Sequence, residues 1–169
     1  MICPYCDSEN ISGADYCEKC GQPLADLHLP EPATDVERAL LRDRVLVLRP
    51  KQPIVVPSSM PVRQVLATLL QKGIGCVLVV DEGKLVGIFS ERDALMKIHT
   101  RIDELGDRPI AEFMTTSVET LLPSAKIAFA VHRMDLGGYR HVPIVGDDGA
   151  PTGMISVRDI LAYLTERMV

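Results

Sequence analysis

The stretch Gly87-Ile88-Phe89-Ser90-Glu91-Arg92-Asp93 returns as Gly153-Met154-Ile155-Ser156-Val157-Arg158-Asp159, and each occurrence closes a longer repeat. Residues 54–96 and 119–162 align at an offset of 65, which rises to 66 after one extra residue at Asp147-Asp148. Ser59 falls on Ser124, Val62 on Ile127, Leu66 on Val131, Leu69 on Met134, Gly73 on Gly138, Val77 on Val142, Gly83 on Gly149 and Leu95 on Leu161. A chain written twice in this way builds one supersecondary unit twice. A unit that leaves a sheet face uncovered must bury it against its twin.

Each copy orders its elements alike. A strand (54–56; 117–121) leads to a helix (62–71; 127–136) whose apolar residues recur at intervals of three and four. Gly73, or Gly137 with Gly138, ends that helix as a C-cap glycine does. In the first copy two strands follow, 76–80 and 85–90, joined by Asp81-Glu82-Gly83, a turn chemistry that supplies positive φ. A second helix begins near Arg92 or Arg158. The expected fold class is α+β: two β-α-β-β-α repeats packed about a pseudo-twofold axis, with 45–48 and 109–114 wrapping from one copy onto the other.

The N-terminal region obeys a different rule. Cysteines at 3, 6, 17 and 20 form two C-x2-C pairs, and each pair brings two thiolates to a tight tip. Two such tips complete a closed tetrahedral site, so Cys3, Cys6, Cys17 and Cys20 are the candidate ligands of a structural zinc ion. A segment this short cannot bury enough apolar surface to fold unaided, and metal binding becomes its folding free energy. A redox reading of Cys3-Pro4-Tyr5-Cys6 needs a βαβ context that a segment with Gly13, Gly21 and Pro23 does not offer. The segment resembles the short zinc ribbons at the ends of many prokaryotic proteins, which contact nucleic acid in some cases and protein in others. Here Asp7, Glu9, Asp15, Glu18 and Asp26 stand against Lys19 alone, and a phosphate-binding surface needs Lys and Arg. Protein contact is the expected role, with passive capping as the plainer one.

Between ribbon and repeat, Leu27-His28-Leu29-Pro30-Glu31-Pro32-Ala33 reads as an extended spacer, with His28 a linker residue rather than a ligand. Thr34 and Glu37 fit a capping box that opens a lead-in helix through about Arg44. The domain plan is therefore a zinc ribbon at 1–24, linker and lead-in helix at 25–44, the first repeat at 45–108 and the second at 109–169. Trp is absent and aromatics make up 4% of the chain, so the core must be aliphatic. A net charge of −5 gives no general pull toward nucleic acid or an anionic membrane. No signal-peptide pattern and no apolar run of membrane-spanning length is present, which places the chain in the cytoplasm.

The doubled junction carries the remaining chemistry. A Ser hydroxyl, an Arg fork and a carboxylate where a strand becomes a helix suit phosphate and ribose, because helix N-terminal amides favour anions and a carboxylate accepts from paired hydroxyls. The plainer reading is structural: Asp in a first turn stabilises the helix, and Ser before a helix caps it. Cys76 reads as a small buried hydrophobe. His99, His132 and His141 lack a carboxylate at triad or metal spacing. With no nucleophile-base pair, open metal site or Gly-rich phosphate loop, the chain reads as a non-enzyme.

The Gly-h-x-Ser-x-Arg-Asp motif at 87–93 and 153–159, with the apolar strands 76–81 and 141–145 before it, resembles tandem CBS domains, the pair called a Bateman module. The resemblance covers residues 45–169 and implies a regulatory module that binds an adenosine-containing ligand such as AMP, ADP, ATP or S-adenosylmethionine in two clefts between the copies. It implies that Asp93 and Asp159 take ribose hydroxyls, with Ser90 and Ser156 on the phosphate side. One cleft would combine Ile74, Gly75 and Cys76 with Ser156, Arg158 and Asp159. The other would combine Tyr139, Arg140 and His141 with Ser90, Arg92 and Asp93, and its added donors make it the expected tighter site for anions. Such modules associate through helical faces, so a homodimer is expected, with the ribbon contacting an unidentified protein partner. The alternatives are a nucleic-acid-binding transcriptional regulator that uses the ribbon, and a ligand-free structural dimer.

Overall fold

The computed structural model describes residues 1–24 and 34–168; the spacer reading and His28 lie outside the described residues. Its elements in chain order are α1 (Asp35–Arg42), a 3-10 turn (Val45–Leu48), β1 (Val55–Val56), α2 (Val62–Lys72), β2 (Cys76–Asp81), β3 (Lys84–Ser90) and α3 (Glu91–Asp93). A π turn (Ala94–Ile98), α4 (Ile102–Leu105), a 3-10 turn (Ile110–Glu112), α5 (Ile127–Gly137), β4 (His141–Val145), β5 (Pro151–Ser156) and α6 (Val157–Met168) follow. Two compact units divide the chain. One gathers Met1–Lys51, Thr120–Ile144 and Met154–Val169; the other gathers Gln52–Glu119 and Val145–Gly153.

The second of these units holds the first repeat together with the 145–153 hairpin segment of the second. Its sheet runs β1-β2-β3, with β1 parallel to β2 and β2 antiparallel to β3. Asp81 pairs with Lys84, and Glu82 and Gly83 between them both take positive φ (50° and 80°), the two-residue hairpin that the Asp-Glu-Gly run predicts. Helix α2 buries Val62, Val65 and Leu69, one face of a 3.6-residue period, in the same core as Val77, Val79 and Phe89. Gly73 closes it in the left-handed conformation. The segment that leads into the second copy packs here: Ile110 N–H donates to Met60 C=O at 2.8 Å, and Thr115 pairs with Ile88 through two backbone hydrogen bonds of 2.8 and 3.0 Å.

The other unit holds the rest of the second repeat and the residues that precede the first. Val45 N–H donates to Ala125 C=O, and Lys51 pairs with Met154 as Thr115 pairs with Ile88. Each copy thus receives the lead-in segment of the other. The capping box on Thr34 and Glu37 forms as expected. The strand expected at 117–121 does not form; Leu121 makes a single parallel bridge to Ile144. In the first copy Leu78 N–H donates to Ile54 C=O and carries the β1–β2 ladder. Its counterpart is Pro143, which has no N–H to give.

The ribbon folds as two matching knuckles. The Asp7 and Gly21 amides close on the Cys3 and Cys17 carbonyls at 2.9 and 2.8 Å, and both residues take positive φ (59° and 69°). This ribbon docks on the second repeat. Tyr5, at the tip of the first knuckle and 1% exposed, meets Phe129 edge to face with centroids 4.5 Å apart, and the Arg133 guanidinium lies 5.4 Å from its ring. Asp7 pairs with Arg44 at 2.9 Å and Lys126 at 2.8 Å, and Gln22 accepts from Arg133. Tyr5→Ala is expected to lower stability by about 3 kcal/mol, the scale of deleting a buried aromatic, with Val47→Ala on the exposed 3-10 turn changing it by less than about 0.5 kcal/mol. Urea unfolding of the two variants checks this.

Candidate functional site

The two Ser-x-Arg-Asp junctions form the same small structure. Backbone N–H and Oγ–H of Ser90 both donate to Asp93 Oδ2, at 2.9 and 2.6 Å, and Ser90 Oγ accepts from Asp93 N–H at 3.2 Å. In the second copy Ser156 N–H and Oγ–H reach Asp159 Oδ2 at 2.7 and 2.6 Å. The plainer reading of these residues is therefore correct as far as it goes, since the Ser-Asp pair starts the helix. It commits Oδ2 of each aspartate and leaves Oδ1 to other partners. Lys97 Nζ meets Asp93 Oδ1 at 2.8 Å, and Lys51 Nζ meets Asp159 Oδ1 at 3.1 Å. Thr115 Oγ1 adds a hydrogen bond to Asp93 Oδ1 at 3.3 Å.

Burial works against ionisation of Asp93, yet Lys97 and the Ser90 donors hold its carboxyl below the usual carboxylate range. Asp159 is held low in the same way, against burial, by Ser156 and Lys51. Cys76, beside Ser90 across the β2–β3 ladder, is pushed up to about 12 by burial and by Glu91 and Asp93, so it is a buried thiol and not a nucleophile. Gly87 leaves room for the crossing segment: a Cβ there would stand 2.9 Å from Met114 Cγ, which would have to move, and 3.2 Å from Thr115 C=O, in the strand pairing that brings Thr115 to Asp93.

Each strand start lies against the junction of its own copy. Gly75 C=O accepts from Glu91 N–H, Cys76 pairs with Ser90, and Arg140 C=O accepts from Val157 N–H. Ile74 and His141 are half-buried, and Tyr139, Arg140, Arg92 and Arg158 are exposed. Sequence reasoning missed Lys51, Lys97 and Thr115. Lys97 was legible as a basic residue four positions after Asp93 on a helical stretch. Lys51 and Thr115 reach their aspartates from outside the aligned repeat, through the exchanged segments.

The four cysteines converge as the doubled spacing predicts, with all four Sγ atoms within 4.8 Å of one another. The Cys3–Cys20 and Cys6–Cys17 separations are each 3.7 Å. Thiolates about 2.3 Å from a tetrahedral ion stand about 3.8 Å apart, so the cluster fits a metal, whereas a disulfide would need about 2.05 Å. Burial pushes the Cys3 and Cys20 thiols up. Cys17 sits at about 5: burial opposes this, but the Ser8 hydroxyl and the amides of Cys20 and Lys19 favour the thiolate.

A mixed α+β chain with two matching Ser-Asp junctions, each completed by a segment from before the other copy, defines a paired-repeat module. The CBS domain model matches residues 33–100 and 110–166, and the chain belongs to the CBS-domain family. Among solved structures it is 26% identical to a CBS domain protein of Pyrobaculum aerophilum complexed with AMP, covering 73% of this chain and 99% of that one at a TM-score of 0.64. It is 25% identical to the CBS domain pair of protein MJ0100 in complex with 5-methylthioadenosine and S-adenosyl-L-methionine, covering 74% and 98% at a TM-score of 0.64. It is also 30% identical to part of the A-adding tRNA nucleotidyltransferase of Aquifex aeolicus, matching 78% of this chain but 15% of that enzyme. Two other curated relatives are spanned over 67% and 44% of their length. No helix among the described residues is long and apolar enough to cross a membrane.

The Asp93 box makes a pH-dependent contribution to stability. Because the folded carboxyl lies below its ordinary value of 3.8, its contribution is present above that pH and is lost as pH falls through the lower, folded value. Asp93→Asn is expected to lose about 1 kcal/mol at pH 7. The gap between variant and parent should shrink below pH 3.8 in chemical-denaturation curves recorded across the acid range.

Proposed function

We propose that the chain is a non-enzymatic regulatory sensor that binds an adenosine-containing ligand, AMP, ADP or ATP, at its two Ser-Asp junctions. The observation that carries this reading is the division of labour within each aspartate: Oδ2 is committed to its serine, and Oδ1, held by a partly exposed lysine, is the acceptor that a ribose hydroxyl would take over. Ser90 and Ser156 stand on the phosphate side, at the first turns of α3 and α6. Arg92, Arg158, Ile74, Gly75, Cys76, Tyr139, Arg140 and His141 are proposed to line the ligand. The adenosine ligands of CBS neighbours support the ligand class. The tRNA nucleotidyltransferase match covers so small a part of that enzyme that it supports no catalytic role for this chain.

In the ribbon, Cys3, Cys6, Cys17 and Cys20 hold structural zinc, which supplies the cross-link that a core this small lacks. The four-thiolate shell leaves no position for substrate. A cytoplasmic setting keeps the cluster reduced. Exposed Ile2, Ile11 and Tyr16 support protein contact by the ribbon, and its acidic composition disfavours nucleic acid. Leu95 and Leu161, at matching positions and 72% and 55% exposed, support a homodimer formed through helical faces.

Isothermal titration of the purified chain with AMP and ATP tests the ligand. Asp93→Ala and Asp159→Ala are each expected to weaken binding at least tenfold at one of two sites, and the double variant to abolish it. Parent-like binding by the double variant would reject the reading. Native mass spectrometry is expected to find one zinc ion per chain, lost when Cys17 is changed to Ser.

A further inference from the structure

The two junctions match in backbone but not in the cation that guards Oδ1. Lys97 lies four residues beyond Asp93, and its ammonium also donates to Phe113 C=O at 2.7 Å and Thr115 Oγ1 at 3.3 Å. A ligand hydroxyl that takes over Asp93 Oδ1 leaves Lys97 with two acceptors still in place. In the second copy the position matching Lys97 is Tyr163, whose hydroxyl donates to Asp43 at 2.8 Å and so does not serve Asp159. The guard there is Lys51, from the segment before the first repeat.

Lys51 is anchored at its root, and its long side chain is exposed up to the ammonium that meets Asp159. Its N–H donates to Met154 C=O at 3.0 Å and its C=O accepts from Met154 N–H at 2.9 Å, which fixes its Cα beside the junction. Its side chain is 74% exposed, against 37% for Lys97. The equivalent pairing position in the first copy belongs to Thr115, whose short neutral side chain cannot leave the box. When a hydroxyl displaces Lys51 from Asp159 Oδ1, the ammonium stays tethered within a side chain's length of the ligand and is left without its counter-charge. A nucleoside 5′-phosphate supplies a new one; a neutral nucleoside does not.

We infer that Lys51 makes the Asp159 junction selective for adenosine ligands bearing a 5′-phosphate, and that Lys97, held by its other acceptors, plays no such part at the Asp93 junction. The inference rests on the reading of the junctions as ribose sites. Calorimetric titration with AMP and with adenosine separates the two claims. In full-length protein carrying Asp93→Ala, so that the Asp159 junction reports alone, Lys51→Ala is expected to weaken AMP about tenfold, the scale of one charge-assisted hydrogen bond. Adenosine should bind as well as before or better, because Oδ1 is unmasked, and Lys51→Arg should restore the AMP preference. In the Asp159→Ala background, Lys97→Ala should leave the AMP-to-adenosine ratio within about twofold. An unchanged ratio on Lys51→Ala, equal weakening of both ligands, or a Lys97→Ala effect of the same size overturns the inference while leaving the ribose reading intact. Failure of the Asp93→Ala protein to bind either ligand overturns the ribose reading, and the inference with it.

Discussion

The hydrogen bonds from a serine to the aspartate three residues on join strand to helix in both copies, and the candidate chemistry is set by them. By holding Oδ2, Ser90 and Ser156 orient Asp93 and Asp159 and leave Oδ1 to Lys97 and Lys51. One carboxylate can thereby hold its serine through Oδ2 and keep Oδ1 for the proposed ribose contact. The geometry also explains why a residue that reads as a simple cap can still be functional. A cap uses one oxygen, and a carboxylate has two.

A second constraint is the exchange of lead-in segments. Lys51 pairs with Met154 of the second copy and Thr115 with Ile88 of the first, so each junction is built from three stretches distant in sequence. Gly87 is part of the same constraint, since a side chain there would displace the Met114 side chain and crowd the Thr115 carbonyl. The ribbon joins this scheme rather than standing apart. Tyr5 and Asp7 are placed by the knuckle of Cys3 and Cys6 and Gln22 by that of Cys17 and Cys20, and they contact Phe129, Lys126, Arg44 and Arg133. A metal in the cluster therefore bears on the second repeat as well as on the ribbon, because the residues that make the contact are those the knuckles position.

The repeat, the hairpin at Glu82-Gly83, the capping glycines and the cysteine cluster were legible because each depends on local spacing or on a residue's own backbone preference. The missing strand at 117–121 was legible too, though it was not read: Pro143 stands where Leu78 donates a ladder bond. The alignment hid this, because both positions are apolar and only the backbone donor differs. The docking of the ribbon was not legible. Tyr5 looked like an ordinary residue inside a cysteine knuckle, and its partners lie more than a hundred residues away.

By itself, the amino-acid sequence determined that this protein is one module written twice with a four-cysteine ribbon before it, since periodicity, turn chemistry and ligand spacing are properties of short segments. Tertiary structure alone decided which side chain completes each copy of the junction. Lys51 and Thr115 occupy one backbone position in two copies, yet one is a charge on a long stem and the other a short hydroxyl. Nothing in their neighbours along the chain marks them. They meet Asp159 and Asp93 because strand pairing brings distant segments within hydrogen-bond reach, and that pairing is a property of the folded chain.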